Sequence, residues 1–202
     1  MKFPFLASFI IFILWFSYNL SKRKSIDEAP IQEFWEKEHR ANNTKKQPLD
    51  DLEYITIPFE KLPMHILSDD EQVAEYTETL KHLSETPIVN FTGISNTDLK
   101  LKYGAPNLDL LSRYDQNYTV LARTLNKWAE YLYKKGYPAE SREILEFAVS
   151  TRTDISGSYK LLCQIYKEEN TPEKIHDLYP IAESIVSATQ KTIVHILQES
   201  EQ

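Results

Sequence analysis

Apolar residues recur at steps of three and four through the C-terminal half of the chain. That is the spacing of one face of an α-helix. Tyr118, Leu121, Ala122, Leu125, Trp128, Ala129 and Leu132 form one such stripe, and Ile144, Leu145 and Ala148 a second. Tyr159, Leu162, Cys163 and Tyr166 form a third, and Ile175, Leu178, Tyr179 and Ala182 a fourth. Asp115 stands where it could cap the first stripe, Gly136 where it could end it, and Pro138 opens the second. Asn170, Thr171 and Pro172 repeat that punctuation. The pattern predicts two antiparallel helix pairs, over 117–150 and 156–184. Pro180 removes a helix hydrogen bond and predicts a kink or break nearby. Ile185, Val186, Ile193, Val194, Ile196 and Leu197 predict a C-terminal capping helix.

The two pairs align with each other. A shift of 34 residues lays Leu125 on Tyr159, Trp128 on Leu162, Ala129 on Cys163 and Leu132 on Tyr166. It also lays Gly136 on Asn170, Leu145 on Tyr179 and Ala148 on Ala182. The small residues at Ala129, Cys163, Ala148 and Ala182 let two helix axes approach closely. This stretch resembles the tetratricopeptide repeat family, whose period it shares. Ser141 and Ile175 depart from the family's usual alanine, and Thr153 and Ser187 stand where a proline often closes a unit. The resemblance implies a helical-hairpin fold that binds partners on an inner face. On the first helices that face would carry Asn126, Glu130 and Tyr133, and in the second unit Lys160, Gln164 and Lys167.

At the other end, Phe3 to Leu20 is an apolar run without a charge. At 1.5 Å per residue it reaches ~27 Å, close to the ~30 Å bilayer core. Ser17-Tyr18-Asn19-Leu20 is a poor signal-peptide cleavage site, so the run predicts an uncleaved anchor. Lys22, Arg23 and Lys24 come directly after it and favour a cytoplasmic position for the remainder. The fold expected is therefore mainly α, with little or no β. It has an N-terminal transmembrane helix at 1–21 and a juxtamembrane helix and linker at 22–52. The first part of the soluble domain spans 53–112, and the repeat-like pairs with their capping helix span 113–202.

Within the middle segment, Pro30 to Ala41 reads as a short helix and Asn42 to Asp51 as a polar linker. Tyr54-Ile55-Thr56-Ile57 is β-type, and since a lone strand is unstable it is expected to pack as an extended segment against helices or to pair with one other short segment. Val73, Tyr76, Leu80 and Leu83 predict a helix over 69–84, capped by Ser68 or Asp69. Residues 88–112 read as a loop-rich stretch, with Asn96 to Gly104 as a short strand or a helical turn.

Composition narrows the function. The net charge is −7, and residues 26–87 hold 15 acidic and 6 basic side chains. No basic stripe suggests a nucleic-acid partner. Cys163 is the single cysteine, and its apolar stripe reads as a buried, inert thiol. His39, His65, His82, His176 and His195 show no metal-ligand spacing, and phosphate-cradling glycine loops are missing from the sequence. No catalytic residue, metal or cofactor is expected. The sequence points to a membrane-anchored protein–protein interaction module, with a protein or peptide partner at the membrane and lipid contacts through Phe3–Leu20. The alternatives are an enzyme or ligand-binding protein with its site in 88–112, or a structural subunit of a membrane complex.

Overall fold

The computed structural model describes residues 4–201, and along 4–8 and 19–30 it describes the backbone alone. Its α-helices are α1 (Pro4–Asn42), α2 (Glu71–Ser84), α3 (Asn96–Tyr103), α4 (Leu108–Lys134), α5 (Pro138–Ser150), α6 (Ser156–Glu168), α7 (Tyr179–Ser184) and α8 (Gln190–Ser200). Short 3₁₀ turns cover Phe59–Lys61, Ala105–Asn107 and Pro172–Leu178. The chain is mainly helical, as its periodicity predicts.

The N-terminal expectation is corrected. Among the described residues no helix is long and apolar enough to cross a membrane. The transmembrane anchor and the lipid contact expected over Phe3–Leu20 therefore have no support. Phe9 to Phe16 and Tyr18 expose apolar or aromatic side chains on α1. Phe3 itself, and the side chains of Lys22, Arg23 and Lys24 on which the orientation rested, lie outside the described residues. The juxtamembrane helix is not a separate element either. Ile31 to Ala41 form the last turns of α1, and Ile31, Phe34 and Trp35 are exposed on it.

Contacts divide the chain into two units. The smaller is the stretch up to Gln47 together with Asn96–Pro106. Here α3 lies against the end of α1. Lys100 Nζ donates to Glu38 Oε1 at 2.5 Å and to Asn42 Oδ1 at 2.7 Å, and Thr97 Oγ1 donates to Glu38 Oε2 at 2.6 Å. Lys37 pairs with Asp98 at 2.7 Å. The hydrogen bond from Lys100, then that from Thr97, holds the Glu38 carboxyl below its ordinary range. Asn96 to Gly104 is thus helical up to Tyr103, the second of the two readings its sequence allowed.

The larger unit is Pro48–Ser95 with Asn107–Gln202. The β-type stretch finds its partner as a single antiparallel bridge, Tyr54 to Val89, with Ile55 N–H donating to the Ile88 carbonyl at 2.9 Å. The cap of α2 is Asp70, rather than Ser68 or Asp69. Its Oδ1 accepts from the N–H groups of Gln72 at 3.0 Å and Val73 at 3.3 Å. Asp115 caps nothing, because α4 begins at Leu108 and carries it as an interior residue. Its Oδ1 instead accepts from Phe91 N–H at 3.1 Å, tying the 88–95 segment to α4.

Helices form where the first three stripes place them, although α4 starts at Leu108 rather than at 117. Leu121, Leu125, Trp128, Leu132, Ile144, Leu145, Tyr159 and Leu162 are all fully buried. Both first arms close alike. Gly136 has φ +88° and Asn170 φ +57°. Tyr137 N–H returns to the Leu132 carbonyl at 3.0 Å, and Thr171 N–H to the Tyr166 carbonyl at 2.8 Å. This is the left-handed helix closure expected of those residues. Ser141, which replaces the expected alanine, donates its hydroxyl to the Ala129 carbonyl at 2.8 Å. The short side chain at Ala129 allows that approach.

The second arms differ. α5 is continuous from Pro138, whereas Pro172–Leu178 is 3₁₀ and α7 is short. Pro180 cannot donate to a preceding carbonyl, so the helix restarts there. Thr171 makes no side-chain capping bond. α8 covers the C-terminal end through Ile193 and Leu197. Ile185 is buried just ahead of it, while Val186 is exposed.

Candidate functional site

Successive turns of α4 and α6 leave their polar sides beside each other. Between them lies a cleft of about 230 Å³, walled by Glu130, Tyr133, Lys134, Lys160, Leu161 and Gln164 over Gly157. Four of the six residues singled out from the sequence therefore come together: Glu130, Tyr133, Lys160 and Gln164. Lys167 is exposed on α6 outside the cleft walls.

Asn126 has a different role. It is half-buried, its Nδ2 donates to Glu130 Oε1 at 2.8 Å, and its Oδ1 accepts from Ser158 Oγ at 2.8 Å. Ser158 is fully buried. Asn126 thus bridges α4 to α6 behind the cleft and fixes the Glu130 carboxylate.

A second network fixes the other end. Tyr133 donates its hydroxyl to Glu168 Oε1 at 2.6 Å. Gln164 Nε2 donates to the Tyr133 oxygen at 2.7 Å and to Glu168 Oε1 at 3.0 Å. The Tyr133 hydrogen bond, then that of Gln164, lowers the Glu168 pKa, and the same bond to Glu168 is the largest cause raising that of Tyr133. Both carboxylates at the cleft are therefore held by neutral donors. The lysines are not. Lys127, Lys134 and Lys160 make no ion pair among the described residues.

Lys134, Gly157 and Leu161 did not come out of the sequence reading. Lys134 lies four residues after Glu130, so the same helical step contained a signal for it. Gly157 and Leu161 lacked one, because only packing decides which apolar residue is left half-covered.

A second cleft of about 220 Å³ adjoins the first and shares Glu130 and Lys134 with it. Gln72, Tyr76, Lys127 and Tyr131 complete its walls. A larger cavity of about 900 Å³ lies between the Pro58–His65 segment and α5, with Phe59, Leu62, Met64 and Phe147 among its walls. A third cleft, of about 360 Å³, includes Asn90, Thr92, Gly93 and Ile94 from the loop-rich stretch, with Tyr54 and Val186.

Among the described residues no group of three or more His, Cys, Asp or Glu could hold a metal ion. His176 and His195 stand beside Glu201 and Glu199 at the surface. Cys163 is buried, and burial pushes its thiol pKa up, which suppresses the reactive thiolate. Compared with known family models, with curated proteins and with solved structures, the chain matches none.

Proposed function

We propose that the chain is a protein–protein interaction module of the tetratricopeptide-repeat-like kind, holding a partner segment against the face shared by α4 and α6. One observation carries the reading. Glu130, Tyr133, Lys160 and Gln164, chosen for their place on the polar side of the helices, line one cleft with a half-covered leucine, Leu161, in its wall. A half-covered apolar residue beside oriented polar groups is what peptide grooves use. The closure at Gly136 and Asn170, one period apart, supports the repeat reading.

The test is site-specific photo-crosslinking in cell extract. A benzophenone side chain at position 164 is expected to capture a defined partner segment. The same group at Lys191 on α8 serves as the control. Equal capture at both positions, or none at 164, would overturn the reading.

A second reading has its own observation. Tyr54, Ile94 and Val186 are all exposed apolar residues, and all three line the 360 Å³ cleft. That cleft suits a ligand with apolar surface. A metabolite that raises Tm, with the rise lost in Ile94→Asp, would favour it.

A further inference from the structure

If the face shared by α4 and α6 holds a partner segment, the charges around its cleft constrain the chemistry of that segment. The chain as a whole is acidic, at −7. The two adjoining clefts reverse that sign. Their walls contribute Lys127, Lys134 and Lys160 against one carboxylate, Glu130. Glu130 Oε1 already accepts from Asn126, so part of its hydrogen-bonding capacity is used within the fold. The three ammonium groups have no ion-pair partner among the described residues. The acidic groups that touch the walls from outside are Glu168, bound by Tyr133 and Gln164, and Asp70, bound by Tyr131 at 2.8 Å and paired with Lys135 at 3.6 Å, while the charge of Glu75 reaches Tyr76.

Aromatic and aliphatic surface accompanies the lysines, most of it in the first cleft. Tyr133 and Leu161 wall the first cleft. Tyr76 and Tyr131 wall the second, edge to face at 6.4 Å. Unpaired cations beside an apolar hollow favour an occupant with the opposite pattern. We infer that the partner is an acidic peptide segment in which Asp or Glu residues flank a bulky apolar side chain. The inference rests on the interaction face proposed for α4 and α6. The apolar group would enter between Tyr133 and Leu161, and the carboxylates would meet Lys134, Lys160 and Lys127. A neutral or basic segment would leave the ammonium groups unpaired and partly desolvated.

The experiment uses the full chain as bait for a library of random peptides displayed on phage. The expected pool is enriched in Asp and Glu around an aromatic or aliphatic residue. Its binding, read by fluorescence anisotropy of a labelled pool member, should fall about tenfold when added salt screens the charges. The reversal Lys134→Glu with Lys160→Glu should abolish binding and shift a fresh selection toward Lys and Arg. Both lysines are exposed, and an unchanged Tm verifies that the variant folds. Lys191→Glu, on an element outside both clefts, should leave binding unchanged.

Two results overturn the inference while leaving the interaction face in place: a selected pool without acidic bias, or one whose binding survives the double reversal but is lost in Leu161→Asp. Failure to select any peptide overturns the inference, and photo-crosslinking at position 164 then decides the face independently.

Discussion

Asn126 on α4 and Ser158 on α6 are joined by a 2.8 Å hydrogen bond from a hydroxyl that is fully buried. Asn126, one of the six residues expected on the inner face, is therefore part of the scaffold. Asn126→Ala leaves a buried donor without its acceptor and should cost about 1–3 kcal/mol. Adding Ser158→Ala to that variant should recover part of the loss, because the orphaned donor is gone. Chemical denaturation of the single and double variants measures this. Additive losses would show that the bond carries no coupling.

Asp70 links the start of α2 to α4. Besides capping, its Oδ2 accepts from the Tyr131 hydroxyl at 2.8 Å, and Lys135 lies 3.6 Å away. The Tyr131 bond is the largest cause of its lowered pKa. A carboxyl whose folded pKa is depressed contributes stability above its unfolded value, about 3.9. That contribution disappears as pH falls through the folded value. Tyr131→Phe removes the main cause, so the variant should be less stable near neutrality and lose less on acidification. The two Tm curves should converge as pH falls through the folded pKa. Parallel curves would refute the linkage.

Trp128 is fully buried, and its indole Nε1 has no hydrogen-bond partner among the described residues. Trp128→Ala should cost roughly 3–5 kcal/mol, as for other large core truncations. Trp128→Phe should cost only about 1 kcal/mol, since it keeps most of the ring volume and removes an unsatisfied buried N–H. Equal losses in urea denaturation would mean that the indole nitrogen is satisfied in solution.

Gly93 and Gly136 separate two causes of glycine dependence. Both have positive φ, at +83° and +88°. A Cβ at Gly136 would meet nothing within 4 Å, so alanine there adds backbone strain alone, roughly 1–2 kcal/mol. A Cβ at Gly93 would overlap the Val186 carbonyl and side chain. Gly93→Ala should therefore be clearly the more destabilising, and it should disturb the 184–186 segment. Hydrogen exchange of that segment checks the second expectation.

The helical periodicity determined which faces of α2, α4, α5 and α6 are buried, while the start of α4 at Leu108 and the 3₁₀ form of Pro172–Leu178 lay outside it. A stripe at steps of three and four has one low-energy use, and local rules for Gly136, Pro138, Asn170 and Pro180 then placed the ends. Four members of the candidate site came from the same periodicity, because the side opposite a buried stripe is also periodic. Tertiary structure decided the rest. Asp115 looked like a cap until α4 extended through it to bond Phe91, a partner 24 residues away. Asp70 took the cap because backbone geometry at that residue, not its type alone, aims Oδ1 at two free N–H groups. Asn126 turned inward because Ser158 stood opposite, which no spacing along one helix can reveal. The apolar run near the N-terminus had the composition of a membrane span, yet the helix it belongs to continues through charged residues to Asn42. Local patterns encode faces and ends. Which faces meet, and which polar groups that meeting consumes, depends on residues far apart in the chain.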